Sequence, residues 1–179
     1  MRAYAPKPGM LLHDEPRRRL APMLGNDGRK LRLLHALLLS LPGSQVLYYG
    51  DEIGMGEDLS LPDRFGLRTP MRWPDARRLE GDPTSMLSWL KRALKIRRSH
   101  PVFARGSMDF LPGGGRSVLA FRRVLAGKEL RVYANLSAAS RRMGPLQDAR
   151  GFRDLWDGGT FAGPAHATLS PYGFRWLIR

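Results

Sequence analysis

Acidic and histidine side chains lie close together at three places in the 179-residue chain, and each arrangement suggests a different chemistry. His13, Asp14 and Glu15 set an imidazole beside two carboxylates, groups that can grip a sugar hydroxyl or hold a proton for transfer; the same triplet in a polar loop also reads as a surface turn. Asp51 and Glu52 follow an apolar run, QVLYY, over residues 45–49. In α/β folds the end of such a strand faces the ligand crevice, which makes this acidic pair a candidate for substrate binding. Glu57, Asp58 and Asp63 offer oxygen donors of the kind calcium prefers, but the twelve-residue ligand loop with its closing Glu is missing, and no metal is assigned. Gly113 to Gly115 lacks the Lys-Ser or Lys-Thr of a phosphate loop and reads as a hairpin turn. His35, His100 and His166 have no partner at ligand spacing, and Ser117 lacks a G-x-S-x-G context, so these read as structural or exposed positions. No cofactor is assigned.

Positioning these groups requires elements, and two regimes alternate along the chain. Prolines at 6, 8, 16 and 22 confine the first 28 residues to loops and short turns. RKLRLLHALLLSL, residues 29–41, predicts a helix buried on most sides, capped by Asn26 or Asp27 and ended by Pro42 and Gly43. Residues 45–49 predict a parallel-type strand covered on both faces. A second helix is expected over residues 84–99, its stripe formed by Met86, Trp89, Leu90, Ala93, Leu94, Ile96 and Arg97. Past the boundary at Pro101 to Gly106, apolar stretches over 107–111, 117–124, 128–136, 152–156 and 172–178, separated by Gly and Pro turns, predict an antiparallel sandwich. Its expected core holds Leu119, Phe121, Val132, Leu136, Trp156 and Trp176. In the stretch 128–136, Leu130, Val132, Ala134 and Leu136 are expected to face the core, and Arg131, Tyr133 and Asn135 to face water.

PGSQVLYYGDEIGMGEDLSLPDRFGLRTPMRW resembles the eighth-strand segment of glycoside hydrolase family 13, the α-amylase family, in its maltose–trehalose isomerising branch. PRRRLAPMLGNDGRKLRLLHALLLSLPG upstream and SMLSWLKRALKIRRSHPVFARGSMDFL, VLAFRRV, VYANLS and PYGFRWL downstream extend the likeness over most of the chain. The resemblance implies an α+β chain: the incomplete end of a (β/α)8 barrel (last helix, last strand and loop) over residues 1–102, followed by an antiparallel β-sandwich over 103–179. It also implies retaining chemistry, with an Asp nucleophile and a Glu acid/base carried on middle barrel strands that this sequence does not contain. Asp51, Glu52 and Arg68 would then lie at or under the pocket rim, binding sugar without cleaving it. His13 and Asp14 are candidates for the family's auxiliary carboxylate pair. Against that role, Leu12 stands where the family motif has Asn, and MRAYAP matches a segment beyond that motif. The loop between Arg77 and Met86 is shorter than in that branch.

Composition bounds what remains. The absence of cysteine excludes disulfides and thiolate chemistry, and no apolar run is long enough for a membrane span or signal core, so a cytoplasmic location is expected. The net charge of +14 would attract polyanions, yet 25 Arg among 30 basic residues are scattered. An RNA-binding face would have to use Phe121, Arg122, Arg123 and Tyr133, and nucleic acid is not the expected partner. Three readings follow. The leading one is a truncated or split family member without catalysis of its own, meeting maltose, trehalose or α-glucan only with a complementing barrel fragment. The others are a carbohydrate-binding or subunit-interaction sandwich, and a basic RNA-binding protein. Apolar elements that evolved to be covered would also promote self-association.

Overall fold

The structure is a computed structural model that describes residues 18–112, 114–144, 151–161 and 168–179. Contacts divide the chain into two compact units, one of the residues up to Arg32 with Val46–Lys91 and one of Leu33–Gln45 with Arg92–Arg179. Compactness thus groups the ends of the two long helices with the sheet, whereas sequence periodicity changes near residue 102.

After a short helix α1 (Leu20–Met23), helix α2 (Gly28–Ser40) begins on Asp27. The Asp27 carbonyl accepts from Leu31 N at 3.0 Å and its Oδ1 from Arg29 N at 2.9 Å, the N-cap that the sequence offers. The helix stops before Pro42 and Gly43, and Gly43 turns the chain at φ 93°. Residues 45–49 do not form the expected strand: no ladder includes them, and Val46 is 82% exposed. A parallel strand draws its hydrogen bonds from neighbours on both sides, and the described residues supply none.

Two 3₁₀ turns, Asp51–Ile53 and Asp63–Arg68, precede helix α3 (Trp73–Glu80), which the sequence reading treats as loop. Pro74 in its first turn and Gly81 just past its end are the usual start and stop residues. Helix α4 (Met86–Ser99) buries Trp89, Leu90 and Ala93, but Leu94, expected in the same stripe, is exposed. His100 and Pro101 end it, and a single turn, α5 (Val102–Arg105), leads into the strands.

Strands β1 (Ser107–Phe110), β2 (Val118–Leu125), β3 (Lys128–Asn135), β5 (Phe152–Asp154), β6 (Thr160–Phe161) and β8 (Phe174–Ile178) form one six-stranded sheet in the order β1-β2-β3-β8-β5-β6. Its described pairings are antiparallel. A second, two-stranded sheet joins β4 (Arg141–Arg142) to β7 (Thr168–Leu169). Val118, Ala120, Tyr133, Phe152 and Leu177 pack with Leu169 of β7 and with Met143, the residue after β4, in one core layer.

The other face of the large sheet carries Phe121, Val132 and Trp176, aligned by register across β2, β3 and β8. Phe103 of α5 meets Trp176 edge-on at 4.9 Å. Because both faces are covered, the expected wet side of β3 is buried as well. Tyr133 and Asn135 lie inside, and the Asn135 amide is satisfied by the carbonyls of Ala139 and Ser170 at 2.8 Å each. Leu136, expected in the core, is instead 48% exposed just beyond the strand, and Leu119 and Trp156 are only half-buried. Among the described residues no helix is long and apolar enough to cross a membrane.

Candidate functional site

The turn that carries Asp51 and Glu52 sits between two glycines in the left-handed region, Gly50 at φ 87° and Gly54 at φ 66°. A Cβ on Gly50 would lie 2.8 Å from Met55 Sδ and 3.1 Å from Arg19 Nη1, so both backbone angle and space demand glycine there. Met55, buried, closes the turn by donating its N–H to the Gly50 carbonyl at 2.8 Å.

Arg19 organises the whole loop. Its side chain is buried, and it donates to the carbonyls of Tyr49 at 2.6 Å and Leu67 at 2.7 Å while Nη1 lies 3.6 Å from Asp51 Oδ1. Its guanidinium also rests 4.9 Å from the centres of both the Tyr48 and Tyr49 rings. Its backbone N–H donates to Glu57 Oε2 at 3.0 Å, and Arg18 Nε stands 3.5 Å from Glu57 Oε1. One cation thereby binds the end of the apolar run, the acidic turn and the residue before Arg68. Nothing in the sequence analysis singles out Arg19, since its partners lie 30 to 48 positions away and no local pattern announces them.

The far side of the loop closes by backbone contact. Asp58 donates its N–H to the Gly66 carbonyl at 3.0 Å, and a Cβ on Gly66 would fall 2.1 Å from the Asp58 carbonyl oxygen. The Asp58 carboxylate accepts from the Ser60 hydroxyl at 2.6 Å and its N–H at 2.9 Å, which holds its pKa below the usual range. It thus serves as a turn stabiliser. Tyr49 Oη donates to the Thr69 carbonyl at 2.9 Å.

Of the residues expected to bind substrate, Asp51 is engaged by Arg19, Glu52 is half-buried beside it, and Arg68 is exposed at the end of the second 3₁₀ turn. Arg19 brings Asp51 and the residue before Arg68 to one side chain. His13, Asp14 and His166 lie outside the described residues. Among the described residues no group of three His, Asp or Glu side chains is placed to hold a metal. The four residues considered for RNA contact do not share a surface: Phe121, Arg123 and Tyr133 are buried, and Arg122 alone reaches out, to Asp109 at 3.2 Å.

No family model matches the chain. Among curated proteins it is 38% identical over 209 residues to a trehalose synthase of Thermus thermophilus, an alignment covering 96% of this chain and 22% of that one. With the trehalose synthase/amylase TreS of Mycobacterium tuberculosis it shares 42% identity over 156 residues, 70% of this chain and 26% of the relative. The chain therefore spans about a quarter of the length of these relatives. Among solved structures, the α-amylase from H. orenii superimposes with a TM-score of 0.69 at 24% identity over 91% of this chain and 38% of its own. The trehalulose synthase MutB from Pseudomonas mesoacidophila does so at 0.71 and 20%, over 89% and 41%. At these identities the structural matches establish a shared fold.

Proposed function

Because the chain belongs to glycoside hydrolase family 13, the α-amylase family, and corresponds to the C-terminal part of its trehalose synthases, we propose that it supplies the closing segment and the sandwich of a maltose–trehalose isomerising glucosyltransferase and turns over no sugar by itself. The observation that carries this reading is the apolar run at residues 45–49, which has a buried strand's sequence, no strand partner among the described residues, and Val46 and Tyr48 open to solvent. Such a segment needs neighbouring strands, and a (β/α)8 barrel closes only with all eight.

Retaining cleavage uses two carboxyl groups roughly 5 Å apart on opposite sides of one bond, one attacking and one protonating the leaving oxygen. Asp51 and Glu52 are consecutive in a single turn, and Asp51 Oδ1 lies 3.6 Å from the buried Arg19 guanidinium, an arrangement that suits a positioning group better than one of two carboxyls flanking a bond. In this reading Asp51, Glu52 and Arg68 hold sugar at the rim of a pocket whose nucleophile and acid/base come from the complementing barrel segment. The partners are that segment and, through it, maltose, trehalose or an α-glucan; a cytoplasmic location accompanies this reading, as does division into a barrel remnant over residues 1–102 and a sandwich over 103–179.

The test is to incubate the purified chain with maltose, alone and co-expressed with the remaining barrel of the Thermus relative, and to follow trehalose. The expected result is no conversion alone and conversion in the complex. Turnover by the chain alone that disappears in the Asp51→Asn, Glu52→Gln double variant would make those two carboxylates catalytic and overturn the reading.

A further inference from the structure

A cavity of about 600 Å³ opens in the sandwich unit, where β3, β8 and β5 end beside α5. Its floor follows from strand register. Leu130 pairs with Ile178 and Ile178 with Arg153, so these three point to one face, and Lys128, two positions from Leu130 on the same strand, points there too. Val102 and Arg105 of α5 form the facing wall together with Leu125.

The lining is one-sided in charge. Arg105, Lys128, Arg153 and Arg179 surround it with His100, and no Asp or Glu takes part. Arg179 is already paired with Glu129, at 2.8 Å. Arg105, Lys128 and Arg153 have no carboxylate partner among the described residues. Three cations of like sign around one concavity repel one another, and an anion placed among them relieves that repulsion. Val102, Leu125 and Ile178 add an apolar wall, so a bare inorganic ion would leave most of the cavity unused.

We propose that this cavity binds a small organic phosphate, its phosphate held by Arg105, Lys128 and Arg153 and its organic body lying on Val102, Leu125 and Ile178. Guanidinium forks and an ammonium suit phosphate oxygens, and a cavity of this volume admits a ligand of nucleotide size. The site lies wholly in the sandwich unit and is independent of the glucoside reading.

The test is calorimetric titration of the full chain with phenyl phosphate, inorganic phosphate and phenol, repeated for Lys128→Glu, Arg153→Glu and, as a control, Arg122→Glu. Lys128 and Arg153 have exposed side chains, so folding should survive both changes, and circular dichroism verifies it. The expected result is phenyl phosphate binding at least tenfold tighter than inorganic phosphate, phenol not detectably, and at least a tenfold loss in each of the two cavity variants with little change in the control. Equal affinity for phenyl and inorganic phosphate would remove the apolar wall from the argument and overturn the proposal. Absence of phenyl phosphate binding, or equal weakening by Arg122→Glu, would overturn it as well, the latter by assigning the effect to the net charge of the chain.

Discussion

Arg97 and Arg123 share one acceptor: both guanidinium groups donate to the carbonyl of Phe103, at 3.4 and 2.8 Å. Between them they also take the last carbonyls of α2, Arg97 that of Leu39 and Arg123 that of Ser40 at 2.7 Å. Two cations at a helix C-terminus complement its dipole and satisfy groups the helix leaves open. Burial, with Arg97 adding to it at Arg123, draws the pKa of both groups below the usual arginine value.

Arg123 also donates to the carbonyls of Gly106 and Ser107, at 2.7 and 2.9 Å, so Arg123→Met leaves up to four acceptors unmet. The expected cost is about 3–5 kcal/mol in urea unfolding, whereas Arg122→Ala on the exposed face should cost under about 1 kcal/mol. Arg123→Lys, which keeps the charge without the fork, should fall between them.

Asp27 gives a pH signature. The side-chain hydrogen bond from Arg29 lowers its pKa from 3.8 to about 2, so the folded carboxylate holds its proton less firmly than the unfolded one. Its contribution is fully present above pH 3.8 and is lost as pH falls to about 2. Asp27→Ala should therefore lower the melting temperature at pH 7, and the gap from the parent chain should narrow between pH 4 and pH 2, as thermal scans at each pH would show.

Arg19 controls the acidic loop. Arg19→Ala should leave the sandwich unit intact and loosen residues 48–69, since the carbonyls of Tyr49 and Leu67 lose their donor and Asp51 its cation. Limited trypsin digestion should show cleavage after Arg64 and Arg68 accelerated by about tenfold, the population shift that a loss of about 1.4 kcal/mol of local stability produces.

Val46, Tyr48, Phe65 and Trp73 are large apolar side chains open to solvent in one unit. The purified chain should self-associate at micromolar concentration in sedimentation velocity, and Val46→Lys should shift it toward monomer. A stable monomer before substitution would remove the need for a covering partner.

The sandwich was legible because Gly and Pro turns mark its strands and apolar residues alternate within them. Burial on β3 was not, because Tyr133 and Asn135 look solvent-facing until a second sheet and the Ala139 and Ser170 carbonyls are in place. Adjacent arginines behave oppositely for the same reason: register turns Arg122 outward and Arg123 inward, and local composition cannot distinguish them. Helix α3 escaped notice because WPDARRLE has too few apolar residues for a stripe, although Pro74 and Gly81 bracket it. In the acidic loop, Asp51 and Glu52 stood out by type, while Arg19, which fixes their turn, acts through contacts remote in sequence.

The capping of α2 by Arg123 spans 83 positions. On a ribosome adding roughly 5–20 residues per second, Ser40 is made about 4–17 s before the guanidinium that will satisfy it. Throughout that interval the Ser40 carbonyl can be met only by water or by a chaperone, and Arg97, which meets Leu39, itself follows 58 positions later, so the end of α2 matures on the timetable of distant elements rather than of its own synthesis. A translational pause before β2 has emerged from the ribosome would prolong that interval.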